Sequence, residues 1–273
     1  MSSRKIPPEA IDTALLSELA IGVKKTFTNA EELFREAHLL SDSGSLSRAL
    51  FLHQISLEEC AKIEILGASA TSLLMGNEVD VAKLTNVLLS HAKKNRTNAY
   101  FLEVSEEEEA ARLAGDFKGA SEAFSELQKR FHLKANTAKN ASLYVDFKDG
   151  RFSSPSESIN SDMVREIAAL NEQYLAISCP KVEMLQAWAK SPSEITAKLT
   201  RFEGRLKELV SSFPEDPFRA LETVMTEAFD EIRQQPNKAQ NRPAPFPSRT
   251  SLSARPRRQG SSLRSDERAQ ARP

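Results

Sequence analysis

Residues 45–75 read SLSRALFLHQISLEECAKIEILGASATSLLM. Ala49, Leu52, Ser56, Cys60, Ile63, Gly67, Ala70 and Leu74 recur at helical spacing as one stripe, and Leu50, Leu57, Ala61, Ile65 and Ala68 make a second. A helix that is apolar on most of its sides has to be enclosed by other elements. The segment is therefore expected to be the central helix of an all-α bundle.

The flanking sequence supplies the neighbours. Upstream, Thr28-Asn29 precede AEELFREAHLLSDSG, so an Asn-capped helix is predicted to open at Asn29 and to end at Gly44. Downstream of Asp80, Val81, Leu84, Leu88, His91, Asn95, Asn98 and Leu102 form one continuous helical stripe that turns polar halfway along. Ser105 opens SEEEE, a helix start with acids in the first turn, where the helix dipole favours them. A further helix is expected over 117–141. In LYVDFKDGRFSSP, β-favouring residues flank Asp149-Gly150, which predicts one small β-hairpin near 143–153. Additional C-terminal helices are expected near 162–188, 193–211 and 216–234, the last two set off by Pro192, Pro214 and Pro217.

Composition agrees. Of the 273 residues, 40% are apolar, 27% charged and 7% aromatic, which excludes a collagen, a fibre or a disulfide scaffold and favours helix over sheet. The formal net charge is -1, but residues 236–273 hold nine Lys/Arg against two acids, which puts that segment at +7 and leaves 1–235 at -8. The chain thus divides into a helical domain, 1–235, and a basic Pro/Arg/Ser-rich tail, 236–273. The tail has six of the 13 prolines and no hydrophobic period, so it is expected to be disordered. A solvated tail and one that touches RNA or another acidic partner are both open readings. No apolar run is long enough to cross a bilayer and the first residues lack a signal-peptide core, so a cytoplasmic protein with no membrane partner is expected. Cys60 and Cys179 have no Cys or His at metal-ligand spacing, so both are expected as buried free thiols, with no metal site and no cofactor.

Phosphate loops, GxSxG, HExxH and EF-hand loops are absent from the sequence. What remains is polar residues at places that should be apolar. Glu58, Glu59 and Lys62 lie inside the central helix, with Lys62 at pairing distance from either carboxylate. They read as a structural ion pair or as a polar site within the bundle. His91, Lys94, Asn95 and Asn98 form a second group, flanked by Lys93 and Arg96. If their helix packs on the central one, His91 is placed as general acid or base while Lys94 and Lys62 hold a phosphodiester. Glu59, Lys62, His91 and Lys94 are then the candidate catalytic set, and Glu58, Asn95 and Asn98 candidate substrate contacts. Arg48 and His53 form a weaker alternative pair, since one Arg–His match at such spacing is expected by chance.

In order, residues 29–66, the SHAKKN block from Ser90 and SLYVDFKDGRFSSP from Ser142 resemble the AbiV family of bacterial abortive-infection proteins, within the HEPN-like helical superfamily. The family's EExxK pattern falls on Glu58, Glu59 and Lys62, its HxxK on His91 and Lys94, and its LYVD on Leu143, Tyr144, Val145 and Asp146. Ala61 stands where most relatives carry Gly. The resemblance implies a HEPN-like antiparallel helical bundle and a homodimer. It also implies a role in stopping phage multiplication by halting host translation or RNA metabolism, with a phage-encoded activator as a further partner. Tyr144 and Asp146 join the candidate substrate contacts on this ground. Many HEPN proteins are metal-independent endoribonucleases that use an Arg and a His four to six residues apart, the Arg followed by a polar residue. Here Arg48 is followed by Ala49 in an apolar helix. Two functions stand side by side: an RNA-cutting enzyme, and a non-enzymatic helical protein that blocks translation through a protein or RNA partner.

Overall fold

The computed structural model describes residues 11–212 together with 223, 224 and 227. The elements run α1 (Thr13–Asp42), α2 (Leu46–Leu74), α3 (Val81–Leu89), α4 (His91–Asn98), a 3₁₀ turn (Ala99–Phe101), α5 (Glu106–Leu113) and α6 (Phe117–Leu143). The hairpin β1 (Asp146–Lys148) and β2 (Arg151–Ser153) follows, and then α7 (Pro155–Ser158), α8 (Ser161–Lys190) and α9 (Pro192–Ser212). The fold is mostly helical, as the 45–75 pattern requires. The expected helix over 216–234 and the 236–273 tail lie outside the described residues, apart from the three positions named.

Helix α2 is the axis of the bundle. Its residues Ser56 through Ala61 are buried in an unbroken run, which a helix reaches only when neighbours cover every side. One core joins Leu16, Leu19 and Val23 of α1 to Ile63, Leu66, Ala70, Leu73 and Leu74 of α2 and Leu185 of α8. A second joins Ala30, Leu57, Cys60 and Tyr174, and a third Ala49, Leu50, Ile159 and Val164. Each fully buried aliphatic side chain contributes about 1.5–3 kcal/mol. Across α2 and α8, Lys181 pairs with Glu64.

Three expectations are corrected. Helix α1 begins at Thr13, capped by Asp12, whose Oδ1 accepts from Leu15 N at 2.8 Å. Asn29 is inside the helix, because the stripe Leu16, Leu19, Ala20, Val23 is buried against α2 and α8 and carries the helix through a residue that would otherwise cap. The stripe from Asp80 is broken at Ser90, which is extended (ψ 110°) and caps α4 through its hydroxyl, 3.3 Å from Lys93 N. The break sets His91 at the first position of α4. Cys179 is exposed, while Cys60 is buried. The buried stripe of α8 runs through Val164, Asn171, Tyr174, Ser178 and Leu185, and Cys179 falls one step off it.

The hairpin forms where Asp149-Gly150 predicts it. Asp149 (φ 51°) and Gly150 (φ 78°) both take the left-handed conformation that a two-residue turn between twisted strands needs. Phe147 faces Phe152 across the strands, and the two rings lie 4.8 Å apart. Helices α8 and α9 match the expected spans closely.

Candidate functional site

The site is built where α2, α4 and α6 meet. Glu58, halfway along α2, is 1% exposed, and its carboxylate is surrounded by positive groups. His91 Nδ1 lies 2.5 Å from Oε2, Lys94 Nζ lies 2.8 Å from the same oxygen, and Lys139 Nζ donates to Oε1 at 3.2 Å. Burial pushes the Glu58 carboxyl up, but hydrogen bonds from Lys94 and His91 and the charges of Lys94 and Lys139 outweigh it. The group is held below its ordinary value and stays ionised.

His91 is the open member of this set. Its side chain is 54% exposed while that of Glu58 is 2% exposed, so the dyad has a buried carboxylate at one end and a solvent-facing ring at the other. With Nδ1–H given to Glu58, the neutral ring keeps its lone pair on Nε2. The exposed Lys93 and Arg96 lie on the same short helix.

Behind His91 the polar stripe of α4 is anchored to α2 by amides. Gln54 Nε2 donates to Asn95 Oδ1 at 3.2 Å, and Asn95 Nδ2 donates to His132 Nδ1 of α6 at 3.3 Å. Asn98 Nδ2 donates to the Leu57 carbonyl at 2.8 Å, and the Asn98 carbonyl accepts from Tyr174 Oη at 2.6 Å. Asn95 and Asn98 are buried at 1% and 0% exposure and brace the helix from within.

The structure divides the candidate catalytic set into two groups. Lys62 pairs with Glu59 at 2.5 Å, three residues along α2, while the carboxylate facing His91 and Lys94 is Glu58. Glu58 and Glu59 are neighbours on a helix and point roughly 100° apart. Tyr144 and Asp146 lie in the exposed hairpin region. Arg48 is exposed and His53 is 0% exposed, and five residues of helix set them roughly 140° apart on α2. His53 Nδ1 accepts from Asn171 Nδ2 at 3.2 Å, and burial followed by the nearby His38 pushes its pKa down to about 4. Lys139, Gln54 and His132 belong to the cluster and were missed. For Lys139 a signal was available: it lies on the buried stripe Ala135, Lys139, Ser142 of α6, a lysine among small residues on an inward face. Among the described residues no group of three or more His, Cys, Asp or Glu side chains is placed to hold a metal ion. No helix among them is long and apolar enough to cross a membrane.

A helical bundle with an acidic-basic cluster drawn from three helices is the class of protein that the fold and site define. The HEPN_AbiV family model, described as AbiV, matches residues 18–176, more than half of the chain, and the chain belongs to that family. The chain is also similar to the uncharacterized protein y4gJ of Sinorhizobium fredii, 36% identical over 126 residues, which is 46% of this chain and 66% of that one. The match thus spans slightly less than two thirds of that relative's length. No solved structure matches.

Proposed function

We propose that the chain acts in phage defence as a metal-independent endoribonuclease, with His91 as its catalytic acid-base group. The observation that carries this reading is the 2.5 Å contact between His91 Nδ1 and the buried Glu58 carboxylate. It fixes the ring, sets the tautomer with Nε2 as base, and stabilises the imidazolium that forms when a proton is taken. RNA brings its own nucleophile. His91 Nε2 takes the 2′-hydroxyl proton, and the 2′-oxygen attacks phosphorus. The 5′-oxygen leaves as it takes a proton from solvent, to which the His91 imidazolium returns the one it took, giving a 2′,3′-cyclic phosphate and a 5′-hydroxyl. Glu58 is a positioning residue here, and Lys94 acts on the Glu58 carboxylate. Glu59 and Lys62 form their own ion pair beside the cluster. Cytoplasmic RNA or the translation machinery is the target in this reading, and a homodimer and a phage-encoded activator remain part of it.

The test is incubation of the purified full-length chain with total bacterial RNA in EDTA, beside His91→Ala and Glu58→Gln. The reading expects cleavage by wild type and a loss of 10²-fold or more in His91→Ala with unchanged helical content. Glu58→Gln should shift the pH profile of the remaining activity as well as lower it. Equal cleavage by wild type and His91→Ala sinks the role given to His91.

A second reading, a non-enzymatic protein that blocks translation through a protein or RNA partner, is favoured by the hairpin. Tyr144, Val145, Phe147 and Phe152 are 61–75% exposed there, an apolar cluster of the kind found at binding surfaces. A partner retained by His91→Ala and lost on changing both phenylalanines to Ser supports that reading.

A further inference from the structure

Two buried ammonium groups share the single carboxylate of Glu58. Lys94 is 5% exposed and Lys139 is 8% exposed, and each pairs with Glu58. Among the described residues no second carboxylate lies within ion-pair range of either. Lys62, the other lysine of the region, is already neutralised by Glu59. Buried charges persist only when compensated, and here one negative group stands against two positive ones. Each ammonium carries three N–H donors, of which Glu58 engages one. The cluster therefore holds both surplus positive charge and spare donors, immediately behind the half-exposed His91 ring.

We propose that Lys94 and Lys139 form an anion site for the phosphoryl oxygens of a nucleotide strand, with the Glu58 carboxylate holding the two ammonium groups in place while the site is empty. One phosphodiester charge makes the cluster neutral, and a strand seated there has its phosphate beside the His91 ring. The identity of the anion rests on the RNA-cleaving reading; the charge argument for a site does not. Glu58 competes with the anion for the same donors, so removing its charge strengthens binding. That sign separates an anion site from a structural ion-pair network, which has no ligand to gain.

The experiment is calorimetric titration of the full-length protein at fixed ionic strength. One arm uses inorganic phosphate and the other an uncleavable 2′-O-methyl tetranucleotide. Both should bind wild type, and Lys139→Met should weaken each by tenfold or more. Glu58→Gln should bind inorganic phosphate at least tenfold more tightly; if that variant does not fold, Lys94→Met takes its place with the same loss expected as for Lys139→Met. Affinities unchanged in the lysine variants overturn the proposal, as does an oligonucleotide that binds while inorganic phosphate does not. Phosphate binding without oligonucleotide binding overturns the assignment to a strand. An intact anion site in a protein that leaves RNA uncut in EDTA removes the nuclease reading and leaves this one standing.

Discussion

Lys139 Nζ donates to Glu58 Oε1 at 3.2 Å across 81 residues of sequence, joining α6 to the middle of α2 at a point where both side chains are buried. Such a contact is costly to halve, because removing one partner leaves the other buried with its charge less compensated. Glu58→Ala leaves two ammonium groups without their carboxylate and should cost about 3–5 kcal/mol. Lys139→Met leaves Glu58 still bonded to Lys94 and His91 and should cost clearly less. Urea denaturation of both variants checks the order, and a larger loss in Lys139→Met would contradict the central place given to Glu58.

His53 supplies a pH signature of its own. Its pKa lies near 4 in the fold against 6.5 for the free group, so the unfolded chain binds this proton more readily. The contribution is nil above pH 6.5; stability then falls as pH drops from 6.5 towards 4 and levels off below. The full effect is about 3 kcal/mol for a shift of that size. Glu58, lowered below its ordinary value, stabilises above the unfolded carboxylate pKa, and this support is lost as pH falls through its folded pKa. Denaturation midpoints between pH 7 and 5 should slope downward in wild type and flatten in His53→Gln. An equal slope in both would refute the buried neutral histidine.

Tyr174 ties α8 to the end of α4, with its hydroxyl on the Asn98 carbonyl at 2.6 Å and the residue 1% exposed. Tyr174→Phe keeps the ring and removes a buried hydrogen bond to that carbonyl, so a loss of about 1 kcal/mol is expected. Thermal melting followed by circular dichroism measures it, and a neutral result would mean that the carbonyl finds another donor.

Phe147 and Phe152 are 65% and 75% exposed and belong to none of the three core clusters around α2. Changing both to Ser should alter stability by no more than about 0.5 kcal/mol. A marked fall in melting temperature would show that the hairpin is packed and would remove it as a binding surface.

The bundle was legible because α2 is apolar nearly all round, and a helix of that kind has one solution. The same property hid the site. With burial on every side, periodicity cannot say whether Glu58 or Glu59 faces a given neighbour; Glu59 stands in the candidate catalytic set, and the carboxylate that meets His91 is Glu58. Asn29 looked like a cap by local chemistry, yet the buried stripe upstream of it prevailed. Ser90 was the reverse: a cap hidden in what read as one continuous stripe. Lys139 could be reached only through a tertiary contact. His91, Asn95 and Asn98, in contrast, stand out from the sequence because they turn an apolar stripe polar.

The account turns on an RNA 2′-hydroxyl activated at His91, and the chemistry of the cut ends tests this most directly. A synthetic oligoribonucleotide incubated with the full-length chain in EDTA, then read by mass spectrometry, should yield fragments ending in 2′,3′-cyclic phosphate. His91→Ala should give them at least about 10²-fold more slowly, in keeping with loss of an acid-base group. Fragments ending in 3′-hydroxyl and 5′-phosphate, or RNA left whole by wild type, would contradict it.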